Sequence, residues 1–302
     1  MSLSRAFQIG SKGLKIPALG LGTWKSQPGE VRNAVKVALD TGYRHIDCAW
    51  AYKNENEVGQ GLKDSGVDRD KVWITSKLWN SFHRPEQVKP ALQETLDNLG
   101  VGHLDLYLMH WPVAFSGTDK KTGKSIVDWD LTNDVLPTWR ALEELVDEGK
   151  VKNIGISHFT VSKTKKLLEQ AKIKPAVNQV ELNLHCAQYD LVRWHQENGV
   201  LVESYSPLGS TGAPQLSDPL VVELARKYET DPANILISWQ AARGVVVLPK
   251  SVTPDRIRSN FRDVELETED VTKLEKRALE FGTQRTVDPS KDWGVPDLWK
   301  EE

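Results

Sequence analysis

Short β-branched or aliphatic runs alternate along this chain with longer stretches in which apolar residues recur every three or four positions. That alternation is the pattern of βα units wound around a parallel sheet. Strands are predicted at 18–22, 44–47, 72–77, 104–110, 153–157, 176–181, 200–204 and 245–249. Helices are predicted between them, among others at 85–99, 135–147, 162–171, 187–197 and 232–242. In the first of these, Val88, Leu92 and Leu96 make one apolar face behind Pro85 at the opening turn. Ahead of the first strand, AFQI-GSKG-LKIP reads as a small hairpin placed to plug the bottom of a barrel. Eight strand–helix repeats without a linker-like stretch favour a (β/α)8 TIM barrel forming one domain over 1–302, rather than a doubly wound open sheet. Residues 112–133 and the tail after Gly282 show no regular period. Long irregular segments of this kind tend to be functional.

Composition narrows the classes. With 39% hydrophobic residues among 302 the chain can bury a large core, so wholesale disorder is excluded. It holds no run of about 18 apolar residues and its amino end lacks an apolar signal core, so a cytosolic protein with no membrane partner is expected. Thirty-nine basic against 42 acidic residues leave a net charge of -3 with no long like-charged block, which argues against nucleic acid. Cys48 and Cys186 have no zinc-ligand spacing. A monomer without a metal is the expectation.

In a (β/α)8 barrel the reacting groups stand where strands end at the carboxyl face. The predicted strands two, three and four end at Asp47, Lys77 and His110. Taken singly these residues also fit a structural ion pair and a packed core histidine. Together they suggest hydrolysis, metal binding or proton transfer to a carbonyl, and the scattered histidines disfavour metal. Tyr52, five residues after Asp47, supplies an acid. A neighbouring ammonium is expected to lower its pKa and make the phenol a usable proton donor.

The segment GYRHIDCAWAYKNENEVG at 42–59 resembles the signature of the aldo-keto reductase superfamily. Similar matches are GLGTW at 20–24, ITSKLW at 74–79, LDLYLMHWP at 104–112, YSPLG at 205–209 and LPKSVTPDRIRSN at 248–260. The resemblance covers nearly the whole chain. It implies reduction of aldehydes and ketones, with Tyr52 as general acid, Lys77 paired to Asp47 behind it, and His110 orienting the substrate carbonyl.

Such a reaction needs a hydride source, because no side chain delivers one. A G-x-G-x-x-G fingerprint is missing, so a Rossmann module is not expected. Lys250, Ser251, Thr253, Pro254 and Arg256 instead form a basic helix start after strand eight, a ready anion site. By resemblance Lys250, Ser251 and Arg256 grip the 2'-phosphate of NADP(H) and Asn260 contacts adenine, although Ser259 replaces the usual glutamate. Resemblance also assigns Ser157, Gln179 and Tyr205 to the nicotinamide, with Tyr205 as the stacking surface. His158 replaces the usual asparagine there, and its imidazole is expected to donate a hydrogen bond in its place. Ser206, Leu208 and Ser210 are assigned to the pyrophosphate, Gly22, Thr23 and Asp47 to the nicotinamide ribose, and Trp24 to the cofactor site as well.

Trp24, Trp79 and Trp111 fall near strand ends and are expected to wall an apolar substrate pocket beside His110, with Trp293 and Trp299 closing it from the tail. Aldehydes with an aliphatic or aromatic part suit that wall. The tail DPSKDWG resembles that of some fungal members acting on glyceraldehyde, glycerol or uronic acids. Lys120, Lys121 and Lys124 read as a solvated loop tip rather than an anchor for acidic substrates. Cys48, next to Asp47, is expected to make the site thiol-sensitive. Two rival readings are a non-catalytic nucleotide-binding regulatory subunit on the same fold and a cofactor-free barrel hydrolase.

Overall fold

In the computed structural model, which describes residues 6–9, 14–262 and 264–301, the chain opens with an antiparallel hairpin of β1 (Ala6–Ile9) and β2 (Leu14–Pro17). Its GSKG turn lies outside the described residues. Buried Ile9 and Ile16 cluster with Trp73, Val177 and Val246, each the first residue of a barrel strand. The hairpin therefore closes the amino end of the barrel.

The barrel strands are β3 (Leu21–Gly22), β4 (His45–Asp47), β5 (Trp73–Leu78) and β6 (Leu104–Met109). After an antiparallel excursion of β7 (Ala114–Thr118) and β8 (Ser125–Asp128) come β9 (Val151–Ser157), β10 (Val177–Glu181), β11 (Leu201–Tyr205) and β12 (Val246–Leu248). The eight pair in parallel in chain order from β3 to β12. Parallel bridges from Leu19 to Val247 and from Gly22 to Lys250 bring the first strand back to the last, with Gly20 N–H donating to Val247 O at 2.9 Å. Every residue of β5 and β6 is buried, as expected for strands covered on both faces. The first and last barrel strands are shorter than their sequence patterns, 21–22 against 18–22 and 246–248 against 245–249.

The helices are α1 (Val31–Thr41), α2 (Glu55–Ser65), α3 (Pro85–Leu99), α4 (Trp129–Asn133), α5 (Leu136–Asp147) and α6 (Val161–Leu168). They continue with α7 (Tyr189–Glu197), α8 (Pro219–Lys227), α9 (Pro232–Ala242), α10 (Pro254–Asn260), α11 (Thr268–Phe281) and α12 (Ser290–Trp293). Helix α3 shows why the pattern works. Pro85 opens it, Val88, Leu92 and Leu96 are buried, and Gly100 ends it with φ 66° and its N–H on the carbonyls of Asp97 and Leu96. Helices α2 and α3 approach closely at Gly59, where a Cβ would lie 2.4 Å from the Leu99 carbonyl oxygen.

Residues 112–133 are not irregular as predicted, since they fold into β7, β8 and α4. Asp119 organises the reversal between the strands, its carboxylate accepting from the amides of Lys121 and Thr122 at 2.8 and 2.7 Å. Asp128 accepts from Leu131 N–H and caps α4. The lysines of the DKKTGK turn are exposed. Among the described residues after Gly282 the one regular element is the single turn α12.

Candidate active site

Strand β4 ends at Asp47, Lys77 is the penultimate residue of β5, and His110 directly follows β6, its N–H donating to Leu78 O at 3.1 Å. Tyr52 comes up from a 3-10 turn, Trp50–Tyr52, just beyond β4. Lys77 is fully buried. Its ammonium lies 2.7 and 2.8 Å from the two Asp47 oxygens, 2.7 Å from the Cys48 carbonyl and 3.2 Å from the Tyr52 hydroxyl. Three ammonium hydrogens thus meet three residues. The Tyr52 oxygen accepts from Lys77, which leaves its own O–H free to donate elsewhere.

Burial disfavours the Lys77 ammonium, but Asp47 and Tyr52 outweigh it and raise its pKa, so the charge persists. The expectation for Tyr52 is corrected in sign. The phenol end is enclosed, and burial pushes it up to about 12 even though the Lys77 charge acts to lower it. Burial, with Lys77 adding to it, holds His110 well below the ordinary imidazole value, so the ring is neutral. Its ring is T-shaped to Tyr52 at 5.8 Å between centroids and to Trp79 at 5.3 Å.

Asp47, Tyr52 and His110 open onto a cleft of about 1040 Å³ at the carboxyl face of the barrel, whereas Lys77 lies behind its lining. Trp24, Trp79, Trp111 and Trp293 line it, with Trp111 and Trp293 edge-to-face at 5.0 Å. So do Gly22, Asp47, Tyr52, His110, His158 and Gln179. Tyr205, Ser206, Leu208, Ser210 and Lys250 line its remaining wall. His158, Ser206 and Ser210 all hold left-handed backbone, at φ 63°, 50° and 63°. Strain of that kind concentrates at binding and catalytic sites. Thr23, Ser157, Ser251, Arg256 and Asn260 are not among the lining residues. Thr23 supports Asp47, donating to its carbonyl at 2.9 Å, and Ser157 donates to Gln179 O at 2.8 Å.

The aldo/keto reductase family profile matches residues 18–278. The chain belongs to the aldo/keto reductase family. It is 42% identical to glycerol 2-dehydrogenase (NADP(+)) of Saccharomyces cerevisiae, over 95% of each chain. It is 47% identical to aldo-keto reductase family 1 member A1 of Gallus gallus, over 83% of this chain and 81% of that one. Its fold is similar to that of an aldose reductase from Schistosoma japonicum, with TM-score 0.89, 39% identity and 99% of each chain covered. The resemblance read from the motifs is therefore correct, and the reductase is an enzyme of the oxidoreductase class.

At several positions this reductase departs from its sequence reading. His158 Nδ1 lies 2.8 Å from the His110 carbonyl, which only accepts, so that nitrogen carries the proton. Its Nε2, 3.1 Å from the Tyr205 hydroxyl, accepts. The imidazole therefore has no spare N–H for the cleft, and it is stacked on Trp111 at 3.4 Å. Ser259 donates to Asp231 and is engaged there. Thr253 precedes α10, but its side chain does not cap the helix. Lys250 Nζ donates to Lys25 O at 3.0 Å, whereas Arg256 is exposed and makes no ion pair among the described residues. Trp299 stands behind Trp111 at 5.9 Å rather than closing the cleft, and lines a neighbouring cavity of about 310 Å³. Cys48 is fully buried and its thiol is pushed well up by burial, the reverse of a reactive cysteine.

Sequence reasoning missed Lys53 and Asp288, which line the cleft, and above all Glu203. Glu203 is fully buried in β11, and Gln179 Nε2 bridges it to Asp47, 2.9 Å from Glu203 Oε2 and 2.9 Å from Asp47 Oδ1. Burial, then Asp47, pushes the Glu203 carboxyl up to about 8. A charged residue inside the apolar run LVESY was the available signal.

Proposed function

We propose that this reductase converts aldehydes and ketones to alcohols with NADPH, reversibly, using Tyr52 as the general acid. One observation carries the reading. The Tyr52 oxygen is held by a buried Lys77 ammonium at 3.2 Å in an arrangement that leaves the phenolic proton free, beside the neutral His110 ring. As negative charge develops on a carbonyl oxygen, Tyr52 gives its proton and His110 donates a hydrogen bond, both preorganised groups of the type a transition state requires. Lys77 then faces a phenolate and stabilises it, while Asp47 keeps Lys77 charged.

The residues fit a nicotinamide dinucleotide, which when bound supplies the hydride. Gly22 lines the cleft without a side chain, and a Cβ there would make a tight 3.2 Å contact with Leu248 O. Tyr205 offers a ring for stacking, Gln179 a carboxamide partner, and Ser206, Leu208 and Ser210 a phosphate-lining loop. Lys250 and the exposed Arg256 supply positive charge suited to a 2'-phosphate. NADP(H) is also named in the glycerol 2-dehydrogenase relative. The tryptophan walls suit aliphatic or aromatic aldehydes. The relatives named for glycerol and aldose favour small hydroxyaldehydes and sugar derivatives as well.

Tyr52→Phe tests the reading. Turnover of 4-nitrobenzaldehyde, followed by NADPH absorbance, is expected to fall by about 100-fold or more, the range of general acid catalysis. NADPH affinity, read by fluorescence, is expected to stay within about twofold, or 0.4 kcal/mol on the scale of about 1.4 per decade. Unchanged turnover would remove Tyr52 from the acid role.

A further inference from the structure

The amide group of Gln179 determines how a cofactor's own amide is met, and its orientation is not self-evident. Its nitrogen has two hydrogens, and two carboxyl groups take them. Asp47 Oδ1 accepts one at 2.9 Å and Glu203 Oε2 the other at 2.9 Å. Gln179 Oε1 is then the atom of the group left without an assigned partner in a residue that lines the cleft. With Asp47 alone, a single hydrogen bond would tether the nitrogen and leave the amide plane free to swing about it, carrying Oε1 with it. Glu203 takes the second hydrogen and locks that plane. Its position is built for nothing else in view, since it is fully buried and its Oε1 has no hydrogen-bond partner among the described residues. Asp47 and Lys77 are the charged groups that act on it, and β12 pairs it with the apolar Val246.

We propose that Glu203 is a positioning residue, which takes the second amide hydrogen of Gln179 and so fixes Gln179 Oε1 as a hydrogen-bond acceptor for the carboxamide NH2 of a nicotinamide cofactor. This rests on the cofactor proposed above. A neutral Glu203 serves equally, because Oε2 accepts while the proton resides on Oε1. The carboxylic acid is needed for its acceptor oxygen and its shape, not for its charge. Selectivity at this point separates two cofactors that differ only in one group. NADP+ carries an NH2 donor, whereas its 3-acetylpyridine analogue carries a methyl group there and cannot donate.

The test compares dissociation constants for NADP+ and the 3-acetylpyridine analogue, measured by quenching of tryptophan fluorescence. The wild-type chain is expected to prefer NADP+ by roughly tenfold, the scale of one well-made hydrogen bond in a buried site. Glu203→Leu, which removes the acceptor, is expected to bring that ratio to within about twofold of unity. Glu203→Gln, which keeps an acceptor oxygen, is expected to retain the preference. Glu203→Met, with an unbranched stem, replaces the leucine variant if leucine unfolds the barrel. Circular dichroism and the urea midpoint identify the variant that keeps the barrel folded, and an unchanged ratio in that folded leucine or methionine variant overturns the inference while leaving NADP(H) use intact. A wild-type chain that binds neither dinucleotide overturns both.

Discussion

Replacing Glu203 by glutamine is expected to change not so much the stability of the barrel as its slope against pH. The carboxyl is pushed from an ordinary value of 4.5 up to about 8 because ionising it would place a charge in a fully buried site next to Asp47. Below about 4.5 the group is protonated whether the chain is folded or not, and it costs nothing. As the pH rises the unfolded chain gains by ionising while the folded chain keeps its proton, so stability falls until the folded group ionises near pH 8. Above that the penalty is constant. Each pH unit in the window is worth about 1.4 kcal/mol, so the full interval approaches about 5 kcal/mol, most of it lost by neutrality. Glutamine has the same shape and the same acceptor and does not ionise. Urea unfolding of both proteins across this range is expected to show the variant gaining about 3 kcal/mol on the wild type between pH 5 and 7.5, with equal m-values. Other titrating groups are common to both chains and cancel in the difference. Two curves that run parallel, whatever their offset, would refute the claim that Glu203 is held neutral.

Two further outcomes are expected. Arg256→Ala should raise the dissociation constant for NADPH by about tenfold or more and leave that for NADH nearly unchanged, as for a lost charge-assisted contact to phosphate. Equal effects in a binding titration would count against a 2'-phosphate contact. Gly59→Ala should destabilise the barrel by about 1–3 kcal/mol despite alanine's better helix propensity, because the new Cβ would meet the fixed Leu99 carbonyl at 2.4 Å. An unshifted urea midpoint would show that α2 and α3 yield there without cost.

What could be read from the chain alone follows a physical line. Asp47, Lys77 and His110 were legible because a strand's position in a barrel fixes where its last residue goes, and buried β-strands announce themselves as apolar runs. The hairpin at 114–128 was not, because Gly117 and the lysine-rich turn break the alternation on which such a reading depends. Glu203 was passed over inside LVESY, since a single residue does not reveal that its neighbour across the sheet is Gln179. His158 was noticed as an unusual residue, yet its tautomer is set by His110 O and the Tyr205 hydroxyl, which arrive from other strands. Residue types and strand ends were encoded locally. Proton positions were not.

The sign of the Tyr52 shift shows why that distinction matters for the chemistry. An ammonium beside a phenol suggests an acidified phenol, but the same enclosure that brings Lys77 to 3.2 Å also strips water from the tyrosine, and burial outweighs the charge. The consequence is not a weaker catalyst. A general acid must hold its proton until the base appears, and a phenol pushed up to about 12 is fully protonated at neutral pH. An alkoxide forming in the cleft is a stronger base still, so the proton moves downhill when it moves. Lys77 acts after that, when the phenolate has the charge that the resting phenol lacks. Its ammonium, fixed by Asp47, then faces an anion in a site with little water to compete, where such an interaction is strong. Burial holds the proton in place beforehand and strengthens the ion pair afterwards, so the two opposing influences on Tyr52 serve successive moments of one transfer.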